Sequence, residues 1–532
     1  MKRNAPLAWV SLFVLLAAAT SPLAPSTTTG TALASVSFST APLDPRFVRL
    51  LEEKKQAETL ETAAKAGIAP SPFKFPGILP GMGFLSVQVL PPSFDLRNEG
   101  RVTSVKDQAP FSACWAFAAS GSLESTLLPG EAWDFSEYQL AYTAYSGPDA
   151  FTKIHPLENN LNQGGNSLKS TALLARRAGP VSEADCPYDP TGSRIPTGSE
   201  PVRKHLVDSH FIYSGNLSGD AARLSVKAAL QAMGGVASMM KWDPARYLES
   251  GDIHSYFYDG SSDPDHGILL VGWNDAYPKE DFRVQPPIDG AWLVKNSWGT
   301  GWGDQGYFWV SYADTSLQEA VVFESAGPKD KERLYQYDPL GIVQALGVSG
   351  GANTTLWAAN IFSSASDEEI LSVGFWAIVP ETTYEIRVYR DTPAGNPVGG
   401  SLDGTIAGTA PTAGYHVVEL DFPVPQEGGT RFSVVARITT PGFGYPVAVE
   451  SPMAGYSENA RASQGESFVS LDGANWVDLA LNLENTNACL KAVSAPTPPE
   501  TSSGGGGGGG CSAPVPPGHL FLLAGLLVLL RK

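Results

Sequence analysis

Cysteine is scarce in this 532-residue sequence, which holds four: Cys114, Cys186, Cys489 and Cys511. Four widely spaced cysteines are too few for a disulfide framework or a paired Cys-x-x-Cys zinc site. Blocks of basic residues are also absent, and 36 Lys+Arg against 54 Asp+Glu give a formal charge of −18. Nucleic acids and anionic membranes bind clustered cations, so we expect neither as a partner. The 43% hydrophobic content is enough for two folded domains.

Long apolar runs are missing as well, and the N-terminal one is short. Lys2 and Arg3 precede an apolar run over residues 7–19, of about 13 residues, whereas a bilayer span needs about 20. A small-x-small motif follows at residues 32–34. These features predict a secretory signal peptide over residues 1–34. A buried N-terminal helix is the alternative.

The C-terminal end has a different composition. Residues 496–510 are rich in Pro, Ser and Gly and end in seven glycines, which predicts a flexible linker. Residues 511–532 begin with Cys511, contain an apolar segment over 520–530 and end in Arg531 and Lys532. This layout resembles the Synerg-CTERM type of sorting signal of bacterial surface proteins. The resemblance implies that Cys511 is the attachment or processing point and that sorting machinery is a partner. A short membrane anchor is the alternative.

Composition separates three regions between these ends. Residues 35–91, called the leader, contain one helical pattern with Phe47, Leu50 and Leu51, then a Pro/Gly-rich passage, and read as a pro-segment. Residues 92–325 have helix-like stretches first and apolar strand-like runs later, which predicts an α+β domain. Residues 335–495, called the β-domain, alternate apolar and polar residues between turns, which predicts an all-β sandwich.

The residues suited to chemistry lie in the middle region. Cys114 stands where a loop gives way to a helix-forming run, and the positive end of a helix dipole favours a nucleophilic thiolate. His266 precedes one apolar strand-like run and Asn296 follows another, so the chain offers a nucleophile, a base and an orienting residue. Five further histidines lack the spacing of metal ligands: His155, His205, His210, His254 and His416. We therefore expect no metal and no cofactor.

Several motifs together resemble the papain-like cysteine peptidase family over residues 92–312. They are Pro92-Ser-Phe-Asp-Leu-Arg97, Gln108 with Cys114-Trp-Ala-Phe, Gly164-Gly165, Asp265-His266, and Asn296-Ser-Trp-Gly. The resemblance implies a two-lobed fold, one lobe helical and one rich in strands, with catalysis in the cleft between them. We call residues 92–325 the peptidase region.

The resemblance also implies a role for each matching position. Cys114 is the nucleophile, paired as a thiolate with His266, and Asn296 orients the imidazole. Gln108 donates its amide to the oxyanion together with the backbone N–H of Cys114. The expected substrate-binding positions are Gly164 and Gly165 beside an extended peptide, Leu168, Met239 and Gly267 around an apolar pocket, and Asp265 and Trp298 near the catalytic histidine.

The β-domain resembles the lectin-like domain that follows papain-like peptidase domains in some bacterial and archaeal surface proteins. Residues 335–338, 359–362 and 372–376 carry this match. The sequence therefore predicts a secreted, surface-retained cysteine endopeptidase. Its expected partners are a protein or peptide substrate and, at the β-domain, a glycan or cell-envelope ligand. The alternative is a surface adhesin whose peptidase region is a non-catalytic scaffold. The intact set of Gln108, Cys114, His266 and Asn296 favours the enzyme.

Overall fold

A computed structural model describes residues 37–56, 67–79, 89–146, 151, 160–329, 331–351 and 353–497 of the chain. The predicted signal peptide over residues 1–34 lies outside the described residues. So do the tail over 511–532, with Cys511, and all but the first two residues of the predicted linker. Among the helices that the structure describes, none combines the length and apolar character needed to cross a membrane.

The leader begins with strand β1 (Phe38–Thr40) and helix α1 (Pro45–Gln56). Pro45 suits the first turn of a helix, and the Asp44 carboxylate accepts a hydrogen bond from the Arg46 N–H at 2.8 Å. Phe47 is fully buried and meets the Tyr456 ring edge-on, with centroids 6.0 Å apart. The helical pattern read from the sequence is confirmed, and its apolar face packs on the β-domain.

The peptidase region follows the predicted order, with helices early and strands late. Most of its helices precede its strands in the chain, and its strands belong to one large sheet. Its elements are β2 (Ser93–Asp95), α2 (Cys114–Leu127), α3 (Glu137–Thr143), α4 (Ser167–Ala175), β3 (His205–Asn216), α5 (Asp220–Ala232), β4 (Val236–Met240), β5 (Tyr247–Ser250), β6 (Ile253–Tyr256), β7 (His266–Asn274), β8 (Ala291–Lys295), β9 (Tyr307–Ser311) and β10 (Gln318–Ala326).

The strands of this region lie side by side in the order β3, β10, β4, β7, β8, β9, β6, β5, and β2 pairs with β7. Nearly every residue of β7 and β8 is buried, because helices or loops cover both faces of these strands. Trp273 and Trp292 are fully buried in this core. Two predicted catalytic residues, His266 at the start of β7 and Asn296 just after β8, are therefore held by buried strands.

The β-domain consists almost wholly of strands. Its elements are β11 (Arg333–Tyr335), β12 (Gln344–Val348), β13 (Thr355–Ser363), β14 (Glu368–Ala377), β15 (Thr382–Arg390), β16 (Ser401–Ala410), β17 (Ala413–Gln426), β18 (Arg431–Thr439), β19 (Val447–Glu450), β20 (Ser467–Ser470), β21 (Val477–Asp478), α6 (Leu479–Asn482), β22 (Asn487–Ala488) and β23 (Leu490–Pro496).

Two sheets of the β-domain have the orders β16, β15, β18, β13, β20, β21 and β1, β12, β19, β22, so the leader strand β1 adds to the edge of the second. Their inner faces share one apolar core, which includes Leu356 and Val434 of the first sheet and Val449 of the second. The predicted fold class is confirmed: an α+β peptidase-like region precedes an all-β sandwich.

A third set of strands joins the two domains. Strands β11, β23, β14 and β17 form one half of a sheet that continues into the peptidase region, because β17 pairs antiparallel with β3. Residues 413–416 of β17 stand opposite residues 208–211 of β3. The sequence predicts two separate domains and gives no sign of this shared sheet.

Candidate active site

Cys114 is the first residue of α2, at the end where unpaired backbone N–H groups point outward. The residue before it, Ala113, provides no side-chain cap. The backbone N–H of Gly267 donates a hydrogen bond to the Cys114 Sγ at 3.1 Å. Since Gly267 follows His266 on β7, this bond brings the N-terminus of α2 against the strand that carries the predicted base.

His266 and Asn296 meet as the sequence predicts. His266 Nε2 lies 2.8 Å from Asn296 Oδ1, and the same oxygen accepts the Ser297 N–H at 2.8 Å. The Trp298 ring stacks on the imidazole, with centroids 4.6 Å apart and planes 26° from parallel. His266 and Asn296 are both buried. The carbonyl oxygen of Asn296 can only accept, so His266 Nε2 carries a proton when the two are bonded.

Gln108 reaches the site from the loop before α2. The Ser297 Oγ donates to Gln108 Oε1 at 2.7 Å, and Gln108 Nε2 donates to the Phe111 carbonyl at 2.8 Å. Phe111 packs against the Tyr138 and Tyr188 rings. The two hydrogen bonds identify Nε2 as the donor end of the Gln108 amide. Together with the packing of Phe111, they hold the loop before α2 in place.

Burial determines the charge state of the site. It raises the pKa of the Cys114 thiol to about 12, although backbone N–H groups of Gly267 and Trp115 work in the opposite direction. Burial also lowers the pKa of His266, which the hydrogen bond to Asn296 only partly offsets. Both shifts favour the neutral thiol and the neutral imidazole in this arrangement, and the thiolate pair that the family resemblance implies stays a prediction.

The leader causes this burial, because it lies in the cleft. The Gly165 N–H donates to the Gly67 carbonyl at 3.1 Å, and the Ala69 N–H donates to the Gly165 carbonyl at 2.8 Å. Asn166 Nδ2 also donates to the Ala69 carbonyl, at 2.8 Å. A Cβ built on Gly67 would stand 2.3 Å from the Cys114 sulfur. Glycine is thus needed for the leader to pass over the thiol.

The predicted glycine pair occupies the wall of the cleft. Gly164 has a positive φ of 68° and its carbonyl accepts a hydrogen bond from the Tyr145 hydroxyl at 2.9 Å. A Cβ on Gly165 would lie 2.2 Å from the Trp115 ring. Only glycine lets this backbone approach both the indole and the peptide that lies along it.

Leu168 and Met239 line one pocket, as expected, and the leader covers it with Ile68. The pocket also contains Glu319, whose Oε1 accepts a hydrogen bond from the Ser167 Oγ at 2.5 Å. Burial raises the pKa of Glu319. The leader side chains Arg46 and Lys74 line the same pocket and lower this pKa through their charge.

Gly267 was expected around the pocket of Leu168 and Met239, but neither Gly267 nor Asp265 is among the residues that line it. Gly267 instead contacts the nucleophile. A Cβ on Gly267 would stand 3.0 Å from the Trp115 backbone nitrogen, so this glycine permits close packing of β7 on α2. The Asp265 carboxylate pairs with Lys241 and accepts the Trp242 N–H at 2.7 Å. Its side chain anchors the turn before His266.

Three site residues were missed by the sequence analysis. Gly67 sits in a leader segment without a recognisable motif, and Glu319 sits on β10, far along the chain from the other pocket residues. Ser297 follows the orienting Asn296 directly, so its place in that motif was an available signal. The first two depend on tertiary contacts alone.

Comparisons with known proteins agree with this geometry. A family model described as papain family cysteine protease matches residues 90–323, and one described as lectin like domain matches residues 334–494. Cysteine proteinase EP-B 1 of Hordeum vulgare is 31% identical over 252 residues, which are 45% of this chain and 59% of that protein. Probable cysteine protease RD19C of Arabidopsis thaliana is 30% identical over 274 residues, covering 50% of this chain and 68% of that protein.

The chain spans less than two thirds of the length of the first curated relatives that it matches. A solved structure of the cysteine protease and lectin-like domains of Cwp84, a surface layer associated protein of Clostridium difficile, superposes with a TM-score of 0.72. It is 23% identical and covers 86% of this chain and 98% of that chain, which shows a shared fold. The chain belongs to the papain family of cysteine peptidases, and a lectin-like domain follows its peptidase domain.

Proposed function

We propose that the chain is a cysteine endopeptidase that hydrolyses peptide bonds through an acyl-enzyme on Cys114. One observation carries the proposal: Cys114 Sγ accepts the Gly267 N–H at 3.1 Å, and the residue directly before Gly267 is His266, whose imidazole Asn296 orients at 2.8 Å. The cleft holds residues 67–69 of the leader, which are flanked by chain on both sides. An internal stretch of polypeptide therefore fits, which supports endopeptidase action.

The reaction begins when the cleft is free of the leader. His266 takes the thiol proton, and the Cys114 sulfur attacks the substrate carbonyl carbon to form a tetrahedral oxyanion. Collapse of this intermediate expels the amine, which His266 protonates, and leaves a thioester. His266 then deprotonates a water molecule, which attacks the thioester and releases the acid. Asn296 keeps the ring in one tautomer and orientation throughout.

Gln108 acts on the oxyanion together with the backbone N–H of Cys114. Its amide is turned by Ser297, which donates to Oε1, so that Nε2 presents its two N–H groups as donors. One of these serves the Phe111 carbonyl, and the other is assigned to the oxyanion. Loss of one oxyanion donor typically lowers kcat by about 10²–10³.

The leader acts as an inhibitory pro-segment in this proposal. It blocks the sulfur with Gly67, covers the pocket with Ile68, and supplies Arg46 and Lys74 near the buried Glu319. It also keeps Cys114 and His266 in neutral forms through burial. Removal of the leader exposes both groups to water and lets the ion pair form.

The pocket lined by Leu168 and Met239 accepts an apolar substrate side chain two positions before the cleaved bond. The Glu319 carboxylate lets the same pocket also accept a substrate side chain that ends in a positive charge. A peptide library tests this with Glu319→Gln, which should lose cleavage of peptides that carry a cationic side chain two positions before the cleaved bond and keep cleavage of peptides with leucine there. Glu249→Gln, at an exposed hairpin position, is the matched control and should leave the profile unchanged.

The β-domain serves as an accessory domain that binds substrate or the cell envelope, with a glycan as the candidate ligand. The chain is secreted and retained at the surface, and the sorting machinery acts at Cys511. Support comes from the lectin-like match and from the likeness to the Cwp84 fold, which belongs to a surface layer associated protein. Binding of Cys114→Ser protein to isolated envelope glycans tests the ligand without interference from proteolysis.

The enzyme proposal is tested by active-site labelling. Full-length protein, after limited proteolysis of its leader, is treated with a thiol-directed epoxide and assayed on casein. Wild type should label at Cys114 and cleave casein, whereas Cys114→Ser should do neither. Cys186→Ser is the control, because Cys186 is a buried free thiol outside the site. If wild type neither labels nor cleaves anything that Cys114→Ser leaves intact, the non-catalytic adhesin is the better interpretation.

A further inference from the structure

Helix α1 of the leader covers a surface to which the lectin-like domain contributes. Phe47 on this helix is fully buried, and its ring meets the Tyr456 ring edge-on, with centroids 6.0 Å apart and planes at 82°. Tyr456 lies within the residues that match the lectin-like domain. Leu50 and Leu51 follow Phe47 by three and four positions, so they share its helix face, and both pack against the same apolar core. The leader thus seats an apolar helix face against a tyrosine of the lectin-like domain.

Side chains of the peptidase domain hold Tyr456 in this position. The Tyr456 hydroxyl donates to Asn166 Oδ1 at 3.4 Å, and the Phe151 ring packs on the Tyr456 ring with centroids 5.6 Å apart. Lys169 Nζ lies 4.4 Å from the centroid of the same ring, a distance typical of a cation–π interaction. Because none of these three contacts involves the leader, we expect Tyr456 to keep its orientation when the leader is removed. The surface is then preorganised for another occupant.

Carboxylates lie beside this aromatic surface. Arg49, two residues after Phe47, forms an ion pair with Asp263, and both side chains are about half exposed. Arg46, directly before Phe47, lines the pocket that contains Glu319. Exposed ion pairs contribute little affinity, but they discriminate between partners of opposite charge. The surface under α1 therefore favours a segment that carries cationic residues beside a large apolar side chain.

The same surface adjoins the cleft. Asn166, which accepts the Tyr456 hydroxyl, donates from Nδ2 to the Ala69 carbonyl at 2.8 Å, and Ala69 lies in the cleft beside Gly165. One side chain therefore separates Tyr456 from the polypeptide in the cleft. The leader occupies both places at once, with residues 67–69 in the cleft and α1 on Tyr456. A single polypeptide can thus bind the cleft and this surface together.

We propose that the surface vacated by α1, formed by Phe151, Tyr456 and Asp263, is an exosite that binds a cationic amphipathic segment of the protein substrate away from the cleaved bond. A large apolar side chain of the substrate takes the place of Phe47, and a cationic one takes the place of Arg49. The inference rests on the proposed peptidase function, since it needs a leader that leaves and a substrate that replaces it. It gives the lectin-like domain a direct part in the choice of protein substrate, in addition to the binding of a glycan.

The test compares three peptides as substrates of the full-length chain after limited proteolysis of its leader and separation of the fragments by gel filtration. The short peptide carries leucine two positions before the cleaved bond and reaches the cleft alone. The long peptide joins the same cleavage sequence to a helix with the sequence of residues 45–56. A flexible Gly/Ser linker of about 20 residues, which spans roughly 25 Å, connects the two parts. The third peptide is the long one with alanine in the place of Phe47.

The long peptide should have a KM about fivefold or more below that of the short peptide, at equal kcat, because its second contact is intramolecular. The alanine peptide should lose this gain. Tyr456→Ala should raise the KM of the long peptide to that of the short one, and Asp263→Asn should raise it about two- to threefold. Asp259→Asn is the matched control, because Asp259 is an exposed carboxylate four residues before Asp263 that pairs with Arg246. It should leave the KM of every peptide unchanged.

Two results would overturn the exosite. One is an equal KM for the long peptide and its alanine form, and the other is a gain that Tyr456→Ala leaves intact. Because the alanine peptide changes only the substrate, misfolding of Tyr456→Ala leaves the test decisive. Cleavage of the short peptide separates the two proposals. If wild type does not cleave it, the peptidase function fails and the exosite fails with it, whereas cleavage of the short peptide without a gain for the long one refutes the exosite alone.

Discussion

The peptidase domain pairs with a segment from elsewhere in the chain at two places, and the pairings differ in extent. In the cleft, Ile68 of the leader forms an isolated parallel bridge with Gly165, with two backbone hydrogen bonds. At the domain junction, residues 413–416 of β17 pair with residues 208–211 of β3 in antiparallel register. Strand β17 is also paired with β14 on its other edge.

This difference shows how one domain can hold one segment temporarily and another permanently. The two backbone hydrogen bonds of the cleft bridge contribute about 0.5–1.5 kcal/mol each, so this contact is opened at low cost, whereas Phe73 and Phe75 of the leader are buried in the core. The junction is an interior part of a sheet, and its opening would expose paired strands on both sides. We therefore expect the leader to be removable and the junction to persist through activation.

The largest effect is expected where the junction itself is broken. A Cβ on Gly414 would lie 1.7 Å from the Ser209 carbonyl, and Gly414 has a φ of 132°, which side chains rarely adopt. Gly414→Ala should therefore separate β17 from β3 and destabilise the chain by about 3 kcal/mol. Hydrogen exchange should show faster exchange of amides over residues 206–213 and 413–418.

The control for that variant is Gly327→Ala, since a Cβ at Gly327 meets nothing within 4 Å. It should leave exchange and thermal unfolding unchanged. If Gly414→Ala exchanges at the wild-type rate along β3, the junction is held by contacts other than this strand pairing.

The next effect concerns the leader, which should be displaced without harm to the fold. Gly67→Ala would place a Cβ 2.3 Å from the Cys114 sulfur. We expect the unprocessed chain to react with iodoacetamide at Cys114 about ten times faster or more, because the leader no longer lies flat on the thiol. Gly77→Ala is the matched leader control, because its Cβ would make an ordinary contact of 3.7 Å with Tyr213. Equal rates for the two variants would contradict the assigned path of the leader.

A smaller effect is expected from one side-chain hydrogen bond to the leader. Asn166 donates from Nδ2 to the Ala69 carbonyl and accepts the Lys169 N–H with Oδ1, which caps α4. Asn166→Asp keeps the capping oxygen and loses the donor, so it should weaken leader docking about five- to tenfold. The measurement is the same Cys114 alkylation rate, and unchanged thermal unfolding would show that the cap is intact.

The smallest effect is a dependence of leader docking on pH. Burial lowers the pKa of His266 while the leader is docked. We expect departure of the leader, which covers the neighbouring thiol with Gly67, to expose the imidazole and raise this pKa. Protonation thus favours the open cleft as the pH falls through the ordinary value of about 6.5. Glu319 acts in the opposite direction, because its pKa is raised by burial while the leader is docked and its protonation therefore favours the docked leader.

In the Cys114→Ser chain, amide protection over residues 67–75 should fall several-fold between pH 7.5 and 5.5, after correction for intrinsic exchange rates. His266→Gln should flatten most of this change, and Glu319→Gln, which removes the opposing group, should enlarge it. A pH profile that neither variant alters would assign the effect to other groups.

The catalytic set was readable from the sequence because each member lies in a local motif. Cys114 begins a helix, His266 begins a strand and Asn296 follows one, so short-range patterns place all three. Gln108 was found by its distance from the nucleophile. Its partner Ser297 was missed, because a hydrogen bond across 189 residues leaves no local pattern.

The β-domain was also predicted in kind, since apolar and polar residues alternate along β15, where Ile386 and Val388 are buried and Arg387 between them is half-buried. Strand β18 is instead buried on both faces over residues 432–436. The pairing partners of its strands were not predicted. Register between distant strands depends on which edges remain free after the rest of the fold has formed.

The sequence by itself determined the fold class, the family resemblance and the candidate catalytic residues, because these follow from local patterns of residue type. The tertiary structure alone decided that Gly67 covers the thiol, that Glu319 lies in one pocket with Leu168 and Met239, and that two domains share a sheet. It also brought Asp208 to His416, although 208 positions separate them. These features arise from contacts between segments far apart in the chain, which no window of the sequence can contain.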